Sequence, residues 1–112
     1  MRLYVAGKYE ERARIREVMD QLEAVGHTIT YDWTTNCELV PNQALKDFEG
    51  VCDADAFILV AERDVSYCGT LVELGVALAC DIPIFVLGHA LDDRCIFLKL
   101  PAIIKGIDTL LE

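Results

Sequence analysis

The sequence predicts an α/β fold, with one domain over residues 1–112. A parallel sheet of about five strands carries helices on both faces. Three observations lead there. Short apolar runs rich in β-branched and aromatic residues alternate with longer stretches of helical periodicity. The connections between them are short. Gly7, Gly26, Pro41 and Pro83 fall at the boundaries between runs. The natural strand order is 2-1-3-4-5, the flavodoxin-like (Rossmann-like) arrangement.

Leu3 to Ala6 is a short apolar strand that Gly7 ends. Glu10 to Val25 reads as a helix, with Ile15, Val18, Met19 and Leu22 on one face and Gly26 closing it. Thr28 to Tyr31 is β-branched and aromatic and forms strand two, followed by Asp32 and Trp33. Thr34 to Val40 is a polar loop. Pro41 suits a first helical turn, and that helix runs to about Cys52 with Leu45, Phe48, Val51 and Cys52 apolar. Ala56 to Ala61 is strand three. Glu62 to Cys68 is a loop that leads into a helix from Gly69 to Ala79, and Pro83 to Leu87 is strand four. Asp92-Asp93-Arg94 marks a turn, and Cys95 to Leu100 is a short helix or a lid. Ala102 to Ile104 is an edge strand, and Asp108 to Glu112 a short terminal helix.

Composition removes several classes of function. The net charge is −9, from 19 acids and 10 bases. A nucleic-acid polymer needs a basic face to displace counterions, so it is not an expected partner, whereas a small nucleotide needs only a few local donors. No apolar run reaches the roughly 18 residues of a membrane span. Met1-Arg2-Leu3-Tyr4 enters a strand without the layout of a signal peptide, and a cytoplasmic location is expected. The five cysteines (Cys37, Cys52, Cys68, Cys80 and Cys95) are odd in number and lack a C-x-x-C pair, which fits reduced thiols. His27 and His89 have no ligand spacing, so no metal and no cofactor is expected.

The stretch Gly69-Thr70-Leu71-Val72-Glu73 carries the chemistry. Thr70 is placed to cap the new helix, and Glu73 follows three residues later, as in a capping box. A plain cap competes with a functional carboxylate at this position. In an open parallel sheet the strands' C-terminal ends line one edge, where ligands bind. Gly7-Lys8-Tyr9, Asp32-Trp33, Glu62 to Cys68 and Gly88-His89 gather there with Glu73, and Tyr4 lies beside them in strand one. No phosphate loop of the Walker or G-x-G-x-x-G type is present.

Tyr4-Val5-Ala6-Gly7, Asp47 ahead of Cys52-Asp53-Ala54-Asp55, and Gly69-Thr70-x-x-Glu73-x-Gly75-x-Ala77 together resemble the nucleoside 2-deoxyribosyltransferases. They also resemble that family's relatives, the 2'-deoxynucleoside 5'-phosphate N-hydrolases. The resemblance spans about residues 3 to 88. It implies cleavage or transfer of an N-glycosidic bond in a small-molecule nucleoside or nucleotide, with Glu73 as the nucleophile and a covalent deoxyribosyl intermediate. It implies that Tyr4 orients Glu73 and that Asp47 serves the leaving base. It also implies a homodimer or higher homo-oligomer.

Other positions have two readings each. Tyr4 fits a packed core tyrosine as well. Asp47 fits a solvated helix carboxylate, and Asp55 a structural residue at the start of strand three. Gly7, Lys8, Gly69 and Thr70 are placed to contact substrate. Lys8 and Arg12 form an anion site with the first helix's N–H groups, or else Arg12, Arg14 and Arg16 make a salt-bridged face with Glu10, Glu11 and Glu17. Trp33 stacks on a base or packs inside. Cys68 reads as a buried, inert thiol, and His89 as a loop residue or a rim contact. Six residues before Glu73 the transferases carry an Asp for the sugar hydroxyls and the hydrolases a Ser for phosphate, whereas this chain has Tyr67, with Asp64 and Ser66 near. A pocket that holds a nucleotide without turning it over is the competing function.

Overall fold

A computed structural model describes residues 1–35 and 39–112. Its strands are β1 (Arg2–Ala6), β2 (Thr28–Ile29), β3 (Ala56–Val60), β4 (Ile84–Leu87) and β5 (Ile104–Lys105), and its helices are α1 (Arg12–Ala24), α2 (Pro41–Cys52) and α3 (Gly69–Ala79). The five strands pair in parallel in the order β2-β1-β3-β4-β5. This is the order expected from the sequence.

The centre of the sheet is apolar on both sides, as a parallel sheet covered by helices requires. Leu3 to Ala6 and Ala56 to Val60 are all buried. Tyr4 sits opposite Phe57, and their rings stack at 6.0 Å and 10°. On α1, Ile15, Val18, Met19 and Leu22 form the buried stripe that the 3.6-residue period marked out. α2 packs against α3, and both reach the Tyr4 side of the sheet.

Several boundaries differ from expectation, each for a local reason. The first helix opens as a 3₁₀ turn, Tyr9–Glu11, before α1 begins. Strand two is shorter than Thr28 to Tyr31 because Asp32 turns the chain. Its Oδ1 accepts the Thr34 N–H at 2.9 Å and its Oδ2 takes Arg16 Nη1 at 2.6 Å, which starts the 3₁₀ turn Trp33–Thr35. The edge strand falls at Ile104–Lys105 rather than Ala102 to Ile104, and the Gly106 N–H extends its pairing to the Val86 carbonyl. The 89–100 segment is a turn followed by a 3₁₀ helix, Ile96–Lys99, and is pinned by buried Leu91 and Leu98. The chain's last helical piece is again 3₁₀, Asp108–Leu110.

Two corrections bear on the site. α3 starts at Gly69 with Cys68 as its N-cap, and no side chain caps it. Thr70 therefore lies inside the first turn, buried, and Glu73 lies beyond it. The capping-box reading fails. On α2 the inward stripe is also displaced. Gly50 and Val51 are buried, whereas Leu45 and Phe48 are exposed. Gln43 and Asp47, two turns and one turn before Gly50 and Val51, are partly buried on the inward side.

Asp55 is structural, as one reading had it. Its carboxylate accepts the Arg2 N–H at 2.8 Å and its own N–H bonds the Arg2 carbonyl at 2.7 Å, which sets where β3 joins β1. Among the described residues, no helix is long and apolar enough to cross a membrane.

Candidate active site

Strand β1 delivers Tyr4 to the middle of the molecule with no solvent exposure. Its hydroxyl donates a hydrogen bond to Glu73 Oε2 on α3, across 69 residues of sequence. Gly50 explains how α2 reaches the same point. A Cβ built there would stand 3.0 Å from the Tyr4 ring and 2.9 Å from Tyr31 Cβ, so only a residue without a side chain lets the helix this close. The close approach brings Asp47, one turn earlier, beside Tyr4 and Glu73. The three form one cluster from three separate elements.

The cluster contains two carboxyl groups and no cation. Burial pushes the Glu73 carboxyl up from 4.5 to about 7, the Tyr4 hydrogen bond opposes this, and the negative charge of Asp47 adds to it. Burial likewise pushes Asp47 up from 3.8 to about 6, with the Tyr4 hydroxyl opposing. Tyr4 is held far above its ordinary value, first by burial and then by the charge of Glu73, so it stays a hydrogen-bond donor. Asp47 Oδ1 is buried without a hydrogen-bond partner. A buried acceptor in that condition is costly unless something else satisfies it. It lies on a cleft.

The cleft measures about 540 Å³, within the range of small-molecule sites. Asp47 and Glu73 line it. So do Gly7, Lys8, Trp33, Tyr67, Gly69 and Thr70, the positions the sequence marked for substrate contact. Trp33 is packed more than it is presented. Its indole N–H donates to the Val5 carbonyl at 2.7 Å, and 8% of its surface is exposed. Lys8 Nζ donates to the Ser66 carbonyl at 2.7 Å and lies 3.9 Å from Glu10, so it braces the loop before α3 while facing the cleft. A Cβ on Gly69 would meet only open space.

Tyr67 supplies a wall rather than a polar contact. Its hydroxyl lies 3.0 Å from the Arg63 carbonyl and 3.2 Å from Glu11 Oε1, and the residue is 5% exposed. Ser66 lines the cleft next to it. Asp64 instead pairs with Arg94.

Some expectations are corrected here and others are met. Arg12 does not line the cleft but lies over the Tyr9 ring at 4.4 Å, which leaves Lys8 as the lining cation among the described residues. Arg14 and Arg16 belong to a salt-bridged solvent face, with Glu17 and Glu62 and with Asp20, Glu23 and Asp32. Cys68 is exposed and lines the cleft, because the N-cap of α3 sits at its mouth, not inside the core. His89 lies outside the lining, with Nδ1 2.9 Å from Asp92 Oδ2.

The sequence reading missed Gln43, which lines the cleft and donates to the Tyr31 hydroxyl. The signal was available, since Gln43 precedes Asp47 by four residues and shares its helix face. Tyr9, Glu10 and Leu39 also line the cleft. Among the described residues, no group of three or more His, Cys, Asp or Glu is placed to hold a metal ion.

No family model matches the chain, and no curated protein sequence does. Among solved structures, the chain is similar to the CMP N-glycosidase BcmB of Clostridium botulinum. The TM-score is 0.67 at 24% identity, covering 95% of this chain and 87% of the other. At that identity the likeness is one of fold.

Proposed function

We propose that this protein cleaves the N-glycosidic bond of a 2'-deoxynucleoside or its 5'-monophosphate, with Glu73 as nucleophile. The observation that carries the reading is the Tyr4–Glu73 hydrogen bond on a cleft that Asp47, a second carboxyl raised by burial, also lines. The N-glycosidic bond weakens as the base departs and the sugar gains oxocarbenium character. A carboxylate against C1' stabilises that charge and then bonds to it. Tyr4 fixes which oxygen of Glu73 is held and which is free to attack. Asp47, as an acid, gives its proton or a hydrogen bond to the leaving base. Water, or a second base, then attacks C1' and frees Glu73.

The chemistry needs Glu73 ionised and Asp47 protonated. Burial raises both carboxyl groups toward neutrality, so the rate is expected to follow a bell-shaped pH profile that belongs to the pair. Two carboxyl groups raised by burial in one cleft favour catalysis over simple ligand binding. Hydrolysis of a monophosphate has two supports: Lys8 on the cleft, and a neighbour in fold whose name gives CMP N-glycosidase. Transfer to a second base has the sequence resemblance.

Base release tests the reading. Each deoxynucleoside, each 5'-monophosphate and CMP is incubated with the protein, with and without a second base, and the products are separated by chromatography. Free base is expected from wild type, and Glu73→Ala is expected to lower its rate at least ~1,000-fold, since the covalent route is lost. Exchange that depends on the added base identifies transfer. A folded wild type that releases no base from any substrate, yet is stabilised thermally by one of them, overturns the enzyme in favour of a binding module.

A further inference from the structure

Cys52 is the last residue of α2, and Cys80 is the C-cap of α3. Their sulfurs lie 3.7 Å apart and both residues are exposed. We propose that Cys52 and Cys80 are a reversible dithiol–disulfide pair that ties the ends of α2 and α3 together when oxidised.

The argument is geometric. A disulfide needs the sulfurs at about 2.05 Å, so the pair must close by less than 2 Å, roughly one side-chain adjustment. Both cysteines sit where their helices end, and each is within reach of a small-molecule oxidant. The other described cysteines offer no such contact. Cys68 opens onto the cleft, and Cys95 packs partly against the core. The link would join positions 28 residues apart, so it would restrict the unfolded chain as well as the folded one.

The reaction is a thiol–disulfide exchange with a low-molecular-weight disulfide. One cysteine loses its proton and its sulfur attacks the small disulfide, forming a mixed disulfide and expelling one small thiolate. The second cysteine, also deprotonated, attacks the protein sulfur of that mixed disulfide. The Sγ–Sγ bond forms and the second small thiolate leaves. Two protein thiols are oxidised, one small disulfide is reduced to two thiols, and the departing thiolates take up the two protons. The setting makes this slow at neutral pH. The neighbouring Cys80 holds the Cys52 thiol above its ordinary value, with burial and the charge of Asp53 adding to it, and helix C-terminal ends disfavour an anion. Exchange runs through the thiolates, so the pair closes faster as pH rises.

The consequence falls on the two helices that bear Asp47 and Glu73, at the ends away from the cleft. The test does not depend on what those carboxylates do. The full chain is equilibrated in buffers from fully reduced to fully oxidised glutathione, remaining thiols are alkylated, and intact mass and peptides are measured. The expected result is two fewer alkyl groups than the reduced protein carries, beside the loss of about 2 Da for the two hydrogens removed, a Cys52–Cys80 cross-linked peptide, and full reversal with reductant. The melting temperature is expected to rise by several degrees in the oxidised form. Cys52→Ser and Cys80→Ser, both at exposed positions, are each expected to abolish the cross-link and the rise, and to leave a mixed disulfide on the remaining cysteine. If Cys52 and Cys80 both stay alkylatable in fully oxidised glutathione, the pair is overturned. Pairing of either one with another cysteine, or between two chains, overturns it as well.

Discussion

The cleft and the solvent face of α1 use the same acids to opposite ends. On the α1 face, Arg14 holds the Glu62 carboxyl below its ordinary value despite partial burial. Burial would raise Asp32, but its bonds from Thr34 and then from Arg16 outweigh that and hold it low. In the cleft, Glu73 and Asp47 are driven up by burial and, among the described residues, pair with no arginine or lysine but with the Tyr4 phenol. One region spends its carboxylates on ion pairs that water already screens. The other keeps two carboxyl groups near neutrality, where a proton can be gained or lost during a reaction. Charge pairing and burial thus separate the ion-paired acids from the two proposed to act on substrate.

Substitutions can break this contrast or sharpen it. Tyr4→Phe has the largest expected effect apart from loss of Glu73 itself. It removes the bond that favours the ionised carboxylate, so Glu73 titrates still higher and the alkaline-rising limb of the rate profile moves to higher pH. At pH 7 the rate is expected to fall roughly 100-fold, about the weight of one preorganised donor. A kcat profile against pH checks both the size and the direction of the limb.

Glu73→Gln is expected to stabilise the protein while removing its activity. The folded value near 7 lies above the unfolded 4.5, so the folded state keeps a proton that the unfolded chain has already released. That difference erodes stability as pH rises from about 4.5 to about 7, and the full loss persists above it. Glutamine carries no such proton and still accepts from Tyr4. Chemical denaturation is expected to show a gain on the order of 2 kcal/mol at pH 8, shrinking toward pH 4. A gain independent of pH would break the account of why Glu73 is raised.

Gly50→Ala probes the approach of α2. The added methyl meets Tyr4 and Tyr31 at 3.0 and 2.9 Å, against rings and a Cβ fixed in packed surroundings. Destabilisation of about 1–2 kcal/mol is expected from overpacking, together with a fall in base release as Asp47 moves away. Arg14→Ala gives the smallest change. Its ion pairs with Glu17 and Glu62 are solvent-exposed to about a third or more, so thermal denaturation is expected to shift stability by no more than about 0.5 kcal/mol, with base release unchanged.

Much of this was legible in the sequence. The alternation of strands and helices gave the sheet order, because parallel crossovers leave few topologies for such a pattern. Gly7, Lys8, Trp33 and Tyr67, which follow strands one to three, line one cleft for the same reason, whereas Asp32, Glu62 and His89 lie outside its lining. What failed was local. Thr70 and Glu73 match a capping box letter for letter, but the helix begins one residue before Thr70, and a cap depends on that register. The α2 stripe was misplaced because Leu45 and Phe48 advertise a core face that the protein exposes, while its true inward face carries Gln43 and Asp47. Polar residues on a buried stripe contradict the binary pattern, and such contradictions gather at functional sites. The Cys68 thiol was misjudged for the same cause as Thr70. The Cys52–Cys80 contact lay beyond any spacing rule, since it depends on how two helices end against each other.

The most direct test of Glu73 as nucleophile is a search for its covalent adduct. Protein mixed with a deoxynucleoside or deoxynucleoside monophosphate that it turns over is quenched in acid within one turnover, and intact and peptide masses are read. An added mass equal to the sugar, or sugar phosphate, on the peptide containing Glu73, and its absence from Glu73→Gln, is the predicted result. Base release at full rate in a protein that never carries the sugar, or an adduct that persists in Glu73→Gln, would contradict it.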